Sequence, residues 1–199
     1  GGGLTYWNTW VSCEENGSAG QCHEVDPFTG YTKQVKVVAQ GGNYESFAYD
    51  NNDPAVEARF FTTEDSSTGA LVRYTPDPSA FGSANNYIIL DSPNGVHDYL
   101  VLNANGTFYW SLNIVDGEAS ANTFFPNSEG IDCHNRILNF VSKAKKELFT
   151  LNLDDSTWSK SSTVSGAFNL QPDQLGRILG DSEVLYFCED GGSACDVHA

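Results

Sequence analysis

One stretch decides the fold class: residues 60–65 read Phe-Phe-Thr-Thr-Glu-Asp, a short apolar strand that ends in two acidic residues. The same pattern returns at residues 184–190, which read Val-Leu-Tyr-Phe-Cys-Glu-Asp, and more weakly at residues 146–155. Short runs of β-branched and aromatic residues are typical of strands. A strand unit that recurs along a chain is typical of the blades of a β-propeller.

The rest of the chain supports the same fold class, because turn-prone Asn-Gly, Thr-Gly and Asp-Gly pairs separate further short strands. The predicted strands cover residues 35–39, 59–63, 70–74, 87–90, 99–102, 107–114, 148–153 and 184–187. No amphipathic helix of ten residues or more is predicted, and the best helical segment is the short one at residues 172–177. The sequence therefore predicts an all-β, propeller-like domain with about four blades' worth of strands.

The chain of 199 residues is strongly acidic, with a net charge of −16. Such a surface repels the phosphates of nucleic acids and anionic membranes. The sequence also contains no apolar run of about 18 residues, so no membrane-inserted helix is expected. The excess of acidic residues has two interpretations. They form a solvated surface, or some of them face inward and bind hard cations, of which calcium is the first choice.

Several acidic residues lie at the ends of apolar strands, and in a propeller such ends converge on the central axis. Carboxylates gathered there repel one another unless cations neutralise them. Oxygen ligands of this kind suit calcium. The alternative interpretation is that these residues cap strands and form solvated turns. The acidic residues in question are Glu14, Glu15, Glu45, Glu64, Asp65, Glu129, Glu189 and Asp190.

The five cysteines form no zinc-type pair. Cys13 is either a soft metal ligand or half of a disulfide with Cys22 across a hairpin, and Cys188 can bridge to Cys195. The sequence contains no Gly-x-Ser-x-Gly, His-Glu-x-x-His or P-loop motif, and the four histidines show no ligand spacing. A side-chain nucleophile is therefore not expected.

Seven short sequence motifs, in order over positions 5–190, resemble those of the PhoX-type alkaline phosphatases. Residues 8–16, Asn-Thr-Trp-Val-Ser-Cys-Glu-Glu-Asn, are similar to the GTWLTCEEN phrase of that family. Residues 23–30 contain its EVDPxTG phrase. Weaker matches follow at residues 44–48, 61–65, 125–130, 171–175 and 187–190.

This resemblance implies a propeller with calcium and ferric ions in one central cluster that hydrolyses small phosphomonoesters. Cys13 is implied as the thiolate ligand to iron, and Glu129 and Glu64 are the catalytic candidates. Cations that bind the phosphate oxygens make a side-chain nucleophile unnecessary. The implied carboxylate ligands are Glu45, Glu64, Glu129 and Glu189, followed by Glu14, Asp65, Asp173 and Asp190.

The same resemblance implies a protein outside the cytoplasm, that is secreted, periplasmic or at the cell surface. Two glycosylation acceptors lean the same way, Asn16 in Asn-Gly-Ser and Asn105 in Asn-Gly-Thr. The oligomeric state is left open by the sequence.

The chain departs from the family's pattern at Asn127, which stands where an arginine is expected and is the candidate substrate-binding residue. A guanidinium forms a planar fork suited to phosphate, so its loss should weaken phosphate binding. Residues 1–199 are also expected to form one propeller-like domain that is truncated at both ends. Two alternatives stay open: a catalytically inactive, metal-binding propeller that is a structural or binding module, and a calcium-dependent propeller that hydrolyses another ester such as a lactone.

Overall fold

The structure, a computed structural model, describes residues 1–164, 170–177, 184–190 and 197–198. Those residues form four antiparallel sheets, each a meander whose strands pair in chain order. We number these sheets as blades 1 to 4. Blade 1 contains β1 (Gly2–Leu4), β2 (Trp10–Cys13), β3 (Cys22–Val25) and β4 (Thr32–Val35). Blade 2 contains β5 (Tyr44–Asp50), β6 (Arg59–Glu64), β7 (Val72–Thr75), β8 (Val96–Leu102) and β9 (Phe108–Ser111).

Blade 3 contains β10 (Ser128–His134), β11 (Ile137–Ser142), β12 (Glu147–Asn152) and β13 (Thr157–Ser162). Blade 4 contains β14 (Gln171–Gly176), β15 (Tyr186–Asp190) and β16 (Val197–His198). The first strand of each blade lies innermost: β5 packs against β1 and β10, and β10 packs against β14. The all-β, propeller-like fold predicted from the sequence is therefore confirmed.

The core lies between neighbouring blades, and the stretch at residues 60–65 shows how it is built. Phe60 and Phe61 are adjacent on β6 and both are fully buried. Because side chains alternate along a strand, Phe60 joins the apolar cluster between blades 1 and 2, whereas Phe61 joins the cluster between blades 2 and 3. Full burial of a phenylalanine side chain contributes about 1.5–3 kcal/mol to stability, so this strand holds three blades together.

Two hairpins predicted from turn residues are present. Asn105-Gly106 connects β8 to β9, and Gly106 adopts a positive φ of 84° that favours glycine. The turn at Asp154-Asp155 connects β12 to β13, with a regular register on both sides. Both hairpins follow from local turn chemistry.

The Asp-Pro-Phe-Thr-Gly segment that follows β3 is a turn organised by Asp26. One carboxylate oxygen accepts a hydrogen bond from Phe28 N at 2.8 Å, and the other accepts from Thr29 Oγ1 at 2.7 Å and from Tyr87 Oη at 2.6 Å. The hydrogen bond from Thr29, followed by that from Tyr87, lowers the pKa of Asp26 to about 2. The Asp-Pro-Phe-Thr-Gly segment is therefore a turn that connects β3 to β4.

The expectation that the chain lacks a helix of ten residues is wrong. Helix α1 (Ile114–Phe124) has 11 residues and begins after Asn113, whose side chain accepts a hydrogen bond from Val115 N at 3.2 Å. Gly117, which the sequence suggested as a turn residue, lets α1 lie close to β8, since a Cβ atom there would be 2.6 Å from Tyr99 Cβ. Among the described residues, no helix is long and apolar enough to cross a membrane.

Three further local predictions are wrong. The predicted strand at residues 35–39 is absent beyond Val35, where β4 ends. Residues 172–177 are not helical, because β14 (Gln171–Gly176) pairs with β15 instead. Pro172 is tolerated because β14 is an edge strand, where a missing N–H breaks no ladder hydrogen bond. Residues 87–90 belong to a 3₁₀ helix, Asn86–Asp91, and not to a strand.

Candidate metal centre at one end of the inner strands

Three inner strands carry the same irregularity. In β5, β10 and β14, two residues oppose a single residue of the next strand, which is the pattern of a β-bulge. The first bulged residue is acidic each time: Glu45, Glu129 and Asp173. Because a bulge changes the direction of a side chain, it can turn these acids towards the axis between the blades.

The three carboxylates converge, and we call them the carboxylate trio. One oxygen from each of Glu45, Glu129 and Asp173 lies within 4.8 Å of the other two. Glu45 and Glu129 are 6% and 1% exposed, so two of the charges are withdrawn from water. Buried carboxylates at this separation repel one another when they are ionised, and a bound cation would offset that repulsion. Calcium, which takes oxygen ligands in a flexible geometry, suits this set of donors.

Two polar side chains tie the bulges of different blades together. Thr63 Oγ1 accepts a hydrogen bond from Ser46 N at 3.0 Å and donates one to the carbonyl oxygen of Glu129 at 2.5 Å. The amide of Gln174 donates to Glu45 Oε1 and accepts from Ser46 Oγ. The positions of the trio are therefore coupled across blades 2, 3 and 4.

Gly130, the second bulged residue of β10, allows blades 3 and 4 to approach each other. A Cβ atom at this position would lie 2.2 Å from Leu175 N and 2.6 Å from the carbonyl oxygen of Asp173. Both neighbours are backbone atoms that cannot move aside like a flexible side chain. A residue without a side chain is therefore required beside the trio.

Lys143 approaches the trio from the turn that follows β11. Its Nζ lies 2.8 Å from Glu129 Oε1, 3.7 Å from Asp65 Oδ2 and 3.9 Å from Asp190 Oδ2. Burial alone would lower the pKa of Lys143, but the hydrogen bond to Glu129 and the nearby carboxylates raise it above its usual range. Its ammonium group is thus held charged among acidic neighbours.

Asn127 lies at the same end of the blades. Its side-chain nitrogen donates to Asp65 Oδ1 at 2.7 Å, and its backbone oxygen accepts from Lys143 N at 2.9 Å. Its φ of 55° is in the left-handed region, which asparagine tolerates better than most residues. Asn127 therefore orients Asp65 and Lys143, and its role as a substrate-binding residue stays a prediction.

Burial shifts the protonation of the trio. Burial, followed by a hydrogen bond to Glu15, raises the pKa of Glu45 to about 7. Burial also raises the pKa of Glu129 to about 8, although Lys143 acts in the opposite direction. The pKa of Asp173 is raised as well, again mainly by burial. Without a cation, this set of acids is costly to ionise completely.

Five other predicted carboxylates lie outside the trio. Two of them, Asp65 and Asp190, lie beside Lys143, and their metal roles stay predictions. Glu14 Oε2 accepts from Gln21 N at 3.0 Å, and the side chain is 42% exposed. Glu64 Oε1 accepts from Asn43 N at 3.5 Å. Buried Glu189 accepts from a backbone N–H, that of residue 170, at 2.8 Å. Metal roles for these three residues, and a catalytic role for Glu64, stay predictions.

The predicted iron ligand, Cys13, is buried and faces Cys22 across the β2–β3 ladder, with the two sulfur atoms 3.6 Å apart. No disulfide joins them. Cys13 is not part of the carboxylate trio, so this arrangement does not provide a thiolate–carboxylate site for iron. Its role as an iron ligand stays a prediction, and Cys195, a proposed partner of Cys188, lies outside the described residues.

The two glycosylation acceptors lie on the surface. Asn16 and Asn105 are both exposed, each in a turn between elements. Their modification stays a prediction.

No protein-family model matches the chain, and no curated protein sequence matches it. Among solved structures, the chain is similar to Pseudomonas fluorescens PhoX in complex with vanadate, a transition state analogue, with a TM-score of 0.68 and 14% sequence identity. The match covers 97% of this chain and 55% of that chain, so the chain spans little more than half of the PhoX length. This likeness shows a shared fold.

A second similar structure is selenomethionine-substituted virginiamycin B lyase from Staphylococcus aureus, with a TM-score of 0.48 and 11% identity. The match covers 100% of this chain and 54% of that chain.

Proposed function

We propose that this domain is a cation-dependent phosphomonoester hydrolase whose carboxylate trio binds calcium. The observation that carries the proposal is the repeated bulge, which gathers one acid from each of three inner strands within 4.8 Å. Three strands that break their ladders at an acidic residue would weaken a purely structural sheet, and bulges of this kind recur beside active sites. The PhoX-like fold adds support for a small phosphorylated substrate.

The residues of the proposed site would have separate roles. Glu45, Glu129 and Asp173 hold the cation, Gln174 fixes the direction of the Glu45 carboxylate, and Thr63 holds the backbone of the Glu129 bulge. A bound calcium ion supplies positive charge that stabilises the negative charge on the phosphoryl oxygens. The buried position of Glu129 keeps bulk water from screening this charge. We further propose a location outside the cytoplasm, where millimolar calcium suits a site of modest affinity.

Iron is not part of this proposal. The thiolate ligand implied by the resemblance is Cys13, whose sulfur contacts that of Cys22 instead of the trio. The oxygen-only donor set suits a hard cation.

The proposal is tested by measuring hydrolysis of p-nitrophenyl phosphate by the 199-residue chain, with millimolar calcium and with a chelator. We expect calcium-dependent turnover that Glu129→Gln removes, while Glu147→Gln, a surface acid paired with Lys160 on β13, leaves it unchanged. Turnover of a lactone without turnover of the phosphate ester would contradict phosphatase activity and favour the other ester hydrolase.

A second candidate function is a catalytically inactive, calcium-binding module. The observation that favours it is that Asn127 and Lys143, two described side chains that could bind a phosphate, are already engaged: Asn127 binds Asp65, and Lys143 pairs with Glu129. A phosphate would have to compete with these carboxylates for its positive partner. Calcium binding without turnover of either ester would identify this function.

A further inference from the structure

Lys143 places a positive charge at the acidic end of the inner strands. Its ammonium group lies within 4 Å of carboxylate oxygens from Glu129, Asp65 and Asp190. These acids come from blades 2, 3 and 4, so the contact is created by the packing of the blades. Glu129 belongs both to this group and to the carboxylate trio.

The fold holds Lys143 in this position. Its backbone N–H donates to the carbonyl oxygen of Asn127 at 2.9 Å. The preceding residue, Ser142, is fully buried, and its hydroxyl donates to the carbonyl oxygen of Pro126 at 2.5 Å. The Lys143 side chain is only 25% exposed. An ammonium group anchored in this way is a permanent part of the acidic end and not a mobile surface charge.

We infer that Lys143 replaces a divalent cation, so that this end of the inner strands binds a single calcium ion at the trio. Lys143 lies within 4 Å of all three acids of a second site formed by Asp65, Asp190 and Glu129, whereas Glu129 is its partner in the trio. A divalent ion in that second site would have to share all three carboxylates with an ammonium group, and like charges at that distance repel strongly. The inference rests on the proposed calcium site and goes beyond it, because it assigns the number of ions and the residue that sets this number.

The test is calcium stoichiometry, measured by isothermal titration of the chelator-treated chain with CaCl₂ and checked by elemental analysis after dialysis. We expect one calcium ion per wild-type chain. Lys143→Met keeps the length of the side chain but removes its charge, so it should bind two. Lys160→Met is the matched control, because Lys160 pairs with Glu147 at 2.7 Å away from the trio and should leave the count at one.

Stability supplies a second measurement, since Lys143→Met leaves buried acids without their partner and should lower the melting temperature of the calcium-free chain. Calcium should then raise the melting temperature by more in Lys143→Met than in the wild type, because a second ion binds the folded state. If the calcium-free methionine variant fails to fold, Lys143→Arg keeps the charge and should fold and bind one ion.

The outcomes separate this inference from the proposed function. One ion in both the wild type and Lys143→Met overturns the role of Lys143 but leaves the calcium site intact. Two or more ions in the wild type overturn the inference in the same way. A wild-type chain that binds no calcium overturns both the proposed site and the inference.

Discussion

The inner strands carry different chemistry at their two ends. At the acidic end, Glu129 of the carboxylate trio and two further aspartates lie within 4 Å of Lys143. At the far end, arginines neutralise the aspartates, as where Arg177 Nε donates to Asp132 Oδ2 at 2.6 Å. Apolar and aromatic groups such as Leu4 and Tyr49 line a cavity of about 390 Å³ there.

The two ends of the inner strands differ in how regularly the strands pair with their neighbours. Strand β10 pairs regularly with β11 from Ile131 to His134, and it is bulged between Ser128 and Ile131. The regular part alternates its side chains between two faces, whereas the bulged part turns Glu129 towards the acids of other blades. The candidate site is therefore created by the bulges in the inner strands more than by the number of acidic residues.

The largest effect on calcium affinity is expected when acidic residues in the bulged part and in the regular part of β10 are changed one at a time. Glu129→Gln should lower calcium affinity by at least about 100-fold, because even residues that only support metal ligands cost 10–100-fold. Asp132→Asn, three residues further along β10, should change it less than twofold. Titration calorimetry with CaCl₂ measures both, and similar losses in the two variants would show that general acidity binds calcium.

A second, smaller effect tests the bulge itself. Gly130→Ala places a Cβ atom against Leu175 N and the Asp173 carbonyl oxygen, so we expect a loss of about 1–3 kcal/mol in the free energy of unfolding. It should also displace Asp173 and weaken calcium binding. Gly176→Ala, on the neighbouring β14, is the control because no atom lies within 4 Å of its Cβ position. Urea titration measures stability, and unchanged calcium affinity in Gly130→Ala would mean that the bulge geometry is unimportant.

Much of the fold was predictable because strand and turn signals are local. The hairpin at Asn105-Gly106 needs only its own residues. Helix α1 was missed because its stability comes from tertiary packing: Gly117 lowers its helix propensity but permits close contact with Tyr99. The PhoX resemblance is supported at the level of the fold alone.

The candidate site was predictable only in part. The resemblance ranks Glu45 and Glu129 among the leading ligands, together with Glu64 and Glu189, and gives Asp173 as a further one. Lys143 was not singled out, because a lysine in the sequence Ser-Lys-Ala-Lys-Lys resembles a solvated turn until blades 2 and 4 pack beside it. One signal was available: the pattern of an acid, one residue and then an apolar residue recurs at Glu45, Glu129 and Asp173.

A third prediction concerns the hydroxyl group that links two bulges. Thr63→Val removes both hydrogen bonds to Ser46 N and the Glu129 carbonyl oxygen, so it should cost about 1–3 kcal/mol and weaken calcium binding up to about tenfold. Thr62→Val is the matched control, because Thr62 is equally buried and its hydroxyl has no hydrogen-bond partner among the described residues. It should be neutral or stabilising. Equal losses of stability in the two variants would contradict a linking role for Thr63.

The smallest effect is expected at Cys13, which lies on β2 and not on an inner strand. Glu14 N donates to the carbonyl oxygen of Gln21 at 3.0 Å, so the adjacent Cys13–Cys22 pair is of the non-hydrogen-bonded kind, in which Cα atoms lie about 4.5 Å apart. That spacing permits a disulfide.

We therefore expect mild oxidation with diamide to link Cys13 to Cys22 without loss of calcium binding, as mapped on peptides prepared without reductant. Cys13→Ser should keep calcium affinity within twofold and cost only about 1 kcal/mol, because it removes one buried sulfur contact and leaves the trio untouched. Cys133→Ser, near the far end, is the control for loss of a half-buried thiol. If the purified chain instead contains iron, and if Cys13→Ser alone loses the iron and its colour, then the thiolate site implied by the resemblance exists and the Cys13 side chain must turn towards the acidic end.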